Sequence, residues 1–255
     1  MKALSVHELY FSYRKGKPVL AGLDLEIEEG SVTGILGRNG CGKSTLFDIL
    51  IGHHHSFRGE VLVGGESVLS LSFTEFARRV AYVPQSFAVN MDFTVFEYIS
   101  FGRNCHLRFG AGLSDSDRQK VYKNAEFCGV AGLLGENVNH LSGGEKQLAC
   151  IARALTQESP LILMDEPASA LDFGNQARLL RMLQALQASG KTVIFTTHNP
   201  GHVLELGCDA AVMLDGRIDC HGSAAEVVTA DALERIYGKD IRLFSEMRAK
   251  LTGTS

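Results

Sequence analysis

The sequence lacks the apolar stretches that mark membrane-spanning helices and secretion signals. No apolar run approaches the roughly 18 residues that a bilayer-spanning helix needs. The opening residues, MKALSVHE, turn polar too early to supply the apolar core of a signal peptide. Any association with a membrane is therefore expected to depend on a partner protein.

The sequence also has no excess of positive charge and no paired cysteines. Its formal net charge is −4 and its pI is about 6.1, whereas nucleic-acid-binding proteins usually present a basic field. The six cysteines are scattered without a CxxC pair, which suits reduced thiols in a cytosol better than a disulfide framework or a zinc site. We therefore expect no nucleic-acid partner and a reducing compartment.

A glycine-rich loop at residues 37–44 lies between an apolar stretch and a helix-like segment. Gly37, Gly42, Lys43 and Ser44 occupy the diagnostic positions of a P-loop. The glycines allow backbone N–H groups to converge on phosphate oxygens, and the helix start adds the positive end of its dipole. Lys43 is expected to reach the β- and γ-phosphates and Ser44 to ligate Mg²⁺, so the motif predicts a nucleoside triphosphate ligand.

Two acidic residues follow a continuous apolar segment far downstream of this loop. The segment at 161–164 has the pattern of a buried parallel strand and runs directly into Asp165 and Glu166. P-loop folds place an acid here to hold Mg²⁺ through its water shell, which is the expected role of Asp165. Glu166 is expected to orient the attacking water or accept its proton.

A second candidate anion site occurs at residues 141–147. Ser142 and Glu145 have the spacing of a capping box, and Gly143 and Gly144 leave the first N–H groups of a helix open to a phosphate. One nucleotide cannot easily use both loops of one chain if they lie at opposite ends of the molecule. A symmetric dimer solves this, because each P-loop can face the Ser142 helix of a second copy.

Strand and helix patterns alternate along the chain, which predicts an α/β fold with a mostly parallel sheet. Helices are expected at 95–102, 114–128, 142–158 and 175–188, with Gly190 closing the last of them. We expect a P-loop NTPase core with an antiparallel β subdomain and an inserted α-helical subdomain. The predicted single domain, 1–255, divides into a nucleotide-binding core at 1–85 and 160–222, a helical subdomain at 86–159 and C-terminal helices at 223–255.

Taken together, these motifs resemble the ATPase subunit of ATP-binding-cassette (ABC) transporters over nearly the whole chain. The segments that carry the resemblance, in matching order and spacing, are residues 37–44, Gln85, 141–147, 163–166, 169–172 and His198. The resemblance implies ATP and Mg²⁺ as ligands, a dimer that encloses ATP, and ATP hydrolysis that drives a transmembrane permease. It further implies a substrate-binding protein as an indirect partner and a place on the cytoplasmic face of the inner membrane.

The resemblance also assigns residue roles. Tyr13 matches the aromatic residue that stacks on adenine, Asp172 the loop that crosses the dimer seam, and His198 the histidine that holds the γ-phosphate. The implied ATP-binding set is Tyr13, Gly37, Asn39, Gly40, Cys41, Gly42, Lys43, Ser44, Thr45, Ser142, Gly143, Gly144 and Asp172. The implied Mg²⁺ set is Ser44, Gln85 and Asp165, and the implied catalytic set is Glu166, His198, Lys43 and Gln85.

Residues 93–103 and 231–238 resemble a narrower group, the bacterial importers of iron chelates, haem, cobalamin and molybdate. Two alternatives remain: an ABC ATPase of another transport class, exporter or importer, and a non-transport ABC ATPase. A P-loop kinase would lack the Ser142 loop and His198. A cassette that only binds nucleotide is disfavoured because Glu166 and His198 are both present.

Three features stand apart from the motifs. Cys41 lies at a helix start beside a lysine, and these surroundings predict a lowered thiol pKa. The consecutive histidines at 53–55 favour a solvated loop over a metal site, because neighbouring loop residues do not naturally point at one ion. Glu145 stands where the family more often has glutamine, which keeps the capping role but adds a negative charge near the phosphate.

Overall fold

The computed structural model describes residues 1–14, 16–86, 92–108 and 110–238. The strands are β1 (Lys2–Phe11), β2 (Leu20–Glu28), β3 (Val32–Leu36), β4 (Arg58–Val63), β5 (Glu66–Ser67), β6 (Val80–Val83), β7 (Leu161–Met164), β8 (Thr192–Thr197), β9 (Asp209–Leu214) and β10 (Arg217–Ser223). The helices are α1 (Lys43–Leu50), α2 (Phe73–Arg79), α3 (Val95–Ser100), α4 (Asp115–Cys128), α5 (Gly143–Thr156), α6 (Phe173–Ala188), α7 (Pro200–Leu206), α8 (Ala224–Val227) and α9 (Ala230–Tyr237).

A six-stranded sheet carries the candidate site. Its order is β10-β9-β3-β8-β7-β6, and every neighbouring pair is parallel except β10 with β9. Every residue of β3, β7 and β8 is buried, as expected of parallel strands covered on both faces. Because parallel strands end at the same edge, the loops after β3, β7 and β8 meet there.

A four-stranded antiparallel sheet, in the order β2-β1-β4-β5, packs over α1. Leu46, Phe47 and Ile49 of α1 are fully buried in the cluster that joins this sheet to β3. The helix that follows the P-loop is thus held between two sheets. The expected combination of a mostly parallel core, an antiparallel sheet and helices is confirmed.

The helices between β6 and β7 pack mainly on one another. Within the described residues, four helices begin with a complete capping box: α2 at Ser72, α3 at Thr94, α4 at Ser114 and α5 at Ser142. Each cap of this kind contributes about 1 kcal/mol to the free energy of unfolding by satisfying N–H groups at the helix start.

Among the described residues, every helix is too short or too polar to span a bilayer.

Some predicted boundaries are wrong by a few residues. Helix α3 ends at Ser100 rather than 102, and the chain continues as a 3₁₀ helix, Phe101–His106. The main chain at Gly102 lies so close to α5 that an added Cβ would come within 2.3 Å of the Arg153 carbonyl oxygen. Helix α6 begins at Phe173 rather than 175, because Asp172 Oδ1 accepts a hydrogen bond from the Asn175 N–H and caps the helix. Residues 87–91 of the predicted helical subdomain 86–159 and residues 239–255 of the predicted C-terminal segment 223–255 lie outside the described residues.

A buried arginine ties the 3₁₀ helix to α4 and to the end of α5. Arg103 Nε donates to Asp117 Oδ1 at 2.8 Å, and its Nη1 donates to the Thr156 carbonyl at 3.0 Å and to Glu158 Oε2 at 2.9 Å. The Ser114 hydroxyl donates to Asp117 Oδ2 at 2.6 Å. Hydrogen bonds from Ser114, joined by those from Arg103, lower the pKa of Asp117 to about 2.

We expect Asp117→Asn to lower the free energy of unfolding by about 2 kcal/mol at pH 7. The pKa of the carboxylate is lower in the folded state than in the unfolded state, so its contribution is complete above about pH 4 and disappears as the pH falls toward 2. Urea unfolding between pH 7 and pH 3 measures both effects. Asp115→Asn, an exposed residue of the same helix, is the matched control. An unchanged stability in Asp117→Asn would contradict this account.

Candidate nucleotide site

The P-loop adopts a conformation that requires its glycines. Gly40 and Gly42 have φ values of 82° and 114°, a left-handed region that other residues rarely adopt. A Cβ at Gly37 would lie 2.6 Å from Cys41 Sγ and 2.7 Å from the Met213 carbonyl oxygen. Gly42 immediately precedes α1, so the unpaired N–H groups of the helix start face the loop. The P-loop backbone is therefore shaped to bind an anion.

A cavity of about 310 Å³ opens beside this loop. Its lining residues are Val19, Asn39, Gly40, Gly42, Lys43, Ser44, Thr45, Gln85 and Glu166. Lys43 is only 6% exposed, and its Nζ donates to the Gly37 carbonyl at 2.8 Å and to the Arg38 carbonyl at 3.3 Å. The same Nζ lies 3.6 Å from Glu166 Oε1. A buried cation therefore faces the space that a triphosphate would fill.

Glu166 is held at the end of β7 in a strained backbone conformation. Its φ of 45° lies in the left-handed region, which is uncommon for a residue other than glycine and often marks functional sites. The Glu166 N–H donates to Thr196 Oγ1 at 2.8 Å, and Oε2 lies 2.8 Å from His198 Nδ1. Among the described residues, the buried Oε1 has no hydrogen-bond partner. This acceptor is suited to a water molecule beside the phosphate.

The candidate Mg²⁺ ligands supply oxygen atoms, the donors that this ion prefers. Ser44 and Gln85 line the cavity, while Asp165 is buried and accepts a 2.6 Å hydrogen bond from Thr196 Oγ1. An acid at this depth suits a contact through the water shell of the ion. The donor set fits Mg²⁺ bound together with phosphate, because this ion usually takes few protein ligands and retains water.

Tyr13 stands at the edge of the P-loop helix. Its ring is 58% exposed, its Oη lies 3.2 Å from Thr45 Oγ1, and Phe11 packs against it edge-on with centroids 5.0 Å apart. An exposed, oriented ring beside the phosphate-binding loop is suited to stacking on a base.

The histidine run at 53–55 is not simply solvated, because the imidazole of His54 stacks on the Phe11 ring with centroids 4.7 Å apart. The described residues contain no group of three His, Cys, Asp or Glu side chains suited to a metal ion.

The second predicted loop forms a separate cluster. Ser142 caps α5: its hydroxyl accepts from the Glu145 N–H at 3.3 Å and donates to Glu145 Oε2 at 2.7 Å. Gly143 faces open space, and an added Cβ at Gly144 would lie 3.7 Å from the Asn175 side chain of the helix that Asp172 caps. In the part of the chain that the structure describes, none of Ser142, Gly143, Gly144 and Asp172 lines the P-loop cavity.

The expectation for Cys41 is wrong. The half-buried thiol has a raised pKa, because the loss of solvent outweighs the nearby Lys43 charge and the backbone N–H groups. A raised pKa disfavours the thiolate, which is the reactive form of a cysteine.

A family model of ABC transporters matches residues 20–169. The chain belongs to the ABC transporter family. It is similar to the molybdate import ATP-binding protein MolC of Haemophilus influenzae, with 32% identity over 92% of this chain and 88% of that protein. It is also similar in structure to an inward-facing ABC transporter of the metal-chelate type, with a TM-score of 0.80 and 31% identity over 93% of this chain and 89% of that one. A dimeric bacterial ABC transporter cassette matches with a TM-score of 0.78 and 26% identity, over 87% of this chain and 98% of that one.

This ABC ATPase therefore binds and hydrolyses ATP. The family match includes the P-loop, the Ser142 loop and the Asp165–Glu166 pair, whereas Tyr13, Asp172 and His198 lie outside it. The structure places His198 against Glu166 and Tyr13 against the P-loop helix.

Sequence reasoning missed two residues of the ABC ATPase site. Thr196 binds both the Asp165 carboxylate and the Glu166 N–H, and it does so because β8 pairs with β7, a neighbourhood that the sequence alone does not give. Tyr237, far along the chain, contacts His198. Tyr237 lies in the 231–238 segment that carries the narrower resemblance, but nothing in the sequence indicated a contact with His198.

Proposed function

We propose that two copies of this chain enclose two Mg·ATP, drive a membrane permease and hydrolyse ATP to reopen. The proposed cargo is a metal chelate, such as an iron–siderophore, haem or cobalamin, or a molybdate-type oxyanion. The complex would hold this subunit at the cytoplasmic face of the plasma membrane. A substrate-binding protein would deliver the cargo to the permease.

The separation of the two anion loops carries the proposal of a dimer. The P-loop cavity is open, and within the described residues no atom of the Ser142 loop lines it. The Ser142 loop itself begins a 14-residue helix and exposes Gly143, so its N–H groups remain available to a phosphate from outside the chain. A twofold dimer brings one loop of each kind to each nucleotide. The likeness to a dimeric cassette supports the same arrangement.

Hydrolysis in this proposal depends on charge neutralisation and on one ordered water. Lys43 and the helix start would stabilise the β- and γ-phosphates, and His198 would hold the γ-phosphate. Glu166 would orient the attacking water through Oε1, which accepts no hydrogen bond from the described residues. Mg²⁺ bound near Ser44, Gln85 and Asp165 would neutralise further phosphate charge.

An apolar groove next to the helical region is the proposed contact with the permease. The groove has a volume of about 560 Å³ and is lined in part by Phe73, Phe93 and Phe101, and Phe73 is 89% exposed. Large exposed aromatic side chains of this kind mark protein contacts. The Gln147 side chain on α5 donates to the Pro84 carbonyl at 3.4 Å, so a permease pushing here would move the Ser142 helix together with Gln85.

The cargo proposal rests on the relatives. The similarity to a molybdate import protein and to a metal-chelate transporter supports these two classes. Cargo contacts would lie in the permease and the binding protein. In the assembled complex, the ligand that accelerates ATP turnover would identify the cargo. Another transport class or a non-transport role is the alternative.

A mixing experiment tests whether each ATP site is shared between two copies. Lys43→Ala removes the P-loop half of a site, and Ser142→Asp adds a charge that repels phosphate while keeping a good helix cap. With both changes made in a Glu166→Gln background, neither variant alone should retain labelled ATP through gel filtration. The equimolar mixture should retain it, because a mixed dimer has one intact shared site. A mixture that binds no more ATP than its components would contradict the dimer.

A further inference from the structure

A tyrosine hydroxyl connects helix α9 to the candidate site. Tyr237, the last residue of α9, donates a 2.5 Å hydrogen bond from Oη to the main-chain carbonyl of His198. The imidazole Nδ1 of the same His198 lies 2.8 Å from Glu166 Oε2. The two contacts form a short chain of hydrogen bonds from α9 to the carboxylate.

The position of Tyr237 is well determined by its own helix. Ile236, the residue before Tyr237, is completely buried in the main core, and the Tyr237 ring packs against that core. Arg235 Nη1 lies 2.6 Å from Asp219 Oδ2, which fixes the helix to β10. The Thr229 side chain accepts from the Ala232 N–H at 3.2 Å and caps the start of α9. These contacts hold α9 in place, so the Tyr237 hydroxyl has a fixed position beside His198.

The main chain on either side of His198 is held as well. The Asn199 N–H donates to Thr197 Oγ1 at 3.1 Å, and Asn199 Oδ1 accepts from the Gly201 N–H at 2.9 Å to cap α7. The His198 side chain itself is 59% exposed, so the surrounding core does not confine it. The direction of the imidazole consequently depends on the main chain, and Tyr237 fixes the carbonyl of that main chain.

The hydroxyl remains a donor throughout the physiological range. Burial, with smaller contributions from the charges of Glu166 and Cys41, raises the pKa of Tyr237 to about 12.

We propose that Tyr237 is a positioning residue for ATP hydrolysis: it fixes the His198 main chain so that the imidazole stays aligned with Glu166 and the γ-phosphate. The inference rests on the proposed role of His198. It also makes α9 part of the support of the catalytic site, because a displacement of this helix would release His198.

Tyr237→Phe removes this hydroxyl and leaves the ring in the core. We expect kcat for ATP to fall about fivefold, the effect of losing one hydrogen bond, with KM for ATP changed less than twofold and with Tm lowered by no more than about 4 °C. The nitrogen chemical shifts of the His198 imidazole, assigned by comparison with His198→Ala, should move. Tyr122→Phe, on the exposed face of α4, is the control and should change none of these quantities.

The outcomes separate this inference from the proposed function. Normal turnover in His198→Ala would overturn the role of His198, and the positioning role with it. A strong loss in His198→Ala, together with wild-type kcat and unshifted His198 signals in Tyr237→Phe, would overturn the positioning role alone. If Tyr237→Phe lowers kcat together with a larger fall in Tm, and the His198 signals stay unshifted, Tyr237 would have a structural role only. This result would also overturn the positioning role.

Discussion

Glu166→Gln is expected to lower the rate of ATP hydrolysis by about 10²-fold or more while leaving ATP binding intact. The amide has nearly the same shape and still accepts a hydrogen bond from His198, but it cannot take a proton from water. Because binding is retained and hydrolysis is blocked, the ATP-bound dimer should accumulate. Phosphate release measures turnover, a fluorescent ATP analogue measures binding, and light scattering measures the mass of the species in Mg·ATP.

The matched control is Glu205→Gln, which removes the same charge from an exposed position on α7. It should leave turnover, binding and mass at wild-type values. Near-normal turnover in Glu166→Gln would remove Glu166 from the role of base. If Glu166→Gln turns over slowly but stays monomeric in Mg·ATP, the role of Glu166 in hydrolysis would stand. The proposal that a dimer encloses the ATP would then be wrong.

Lys43→Ala is expected to weaken ATP binding by about 10²- to 10³-fold, the usual effect of removing one partner of a buried charge pair. The ammonium group is buried and lies 3.6 Å from Glu166 Oε1. Its removal takes away the cation that faces the phosphates and leaves the Glu166 carboxylate without this counter-charge. Both changes oppose the binding of an anion. Equilibrium titration with a fluorescent ATP analogue measures the loss.

Lys123→Ala, on the exposed face of α4, is the control for the loss of a positive charge. Its ATP affinity should equal that of the wild type. An affinity in Lys43→Ala within about threefold of the wild type would show that the P-loop backbone binds the phosphates without the lysine.

Features encoded by neighbouring residues were predicted from the sequence. The P-loop glycines and the buried strand that leads into Asp165 and Glu166 are local patterns, and the structure places Lys43 and Glu166 in one cavity. The capping box at Ser142 also depends only on residues three apart, and it forms as expected. Local spacing predicts such features because helices and loops fix the geometry over a few residues.

Features that depend on the competition of two effects or on distant contacts were not predicted. The Cys41 thiol senses both a nearby lysine and burial, and only the structure shows that burial dominates. Helix α6 begins two residues before its predicted start because Asp172 is its N-cap. The sequence analysis had assigned Asp172 only to the loop proposed to cross the dimer seam. Tyr237 meets His198 across 39 positions of sequence, a contact that no local pattern encodes.

Determining the structure of Glu166→Gln with bound Mg·ATP tests the central claim most directly. The account predicts two copies related by a twofold axis, with each γ-phosphate bound by the 37–44 loop of one copy and by Ser142 of the other. A nucleotide bound in a single copy, with Ser142 of neither copy within hydrogen-bond distance of the γ-phosphate, would contradict it.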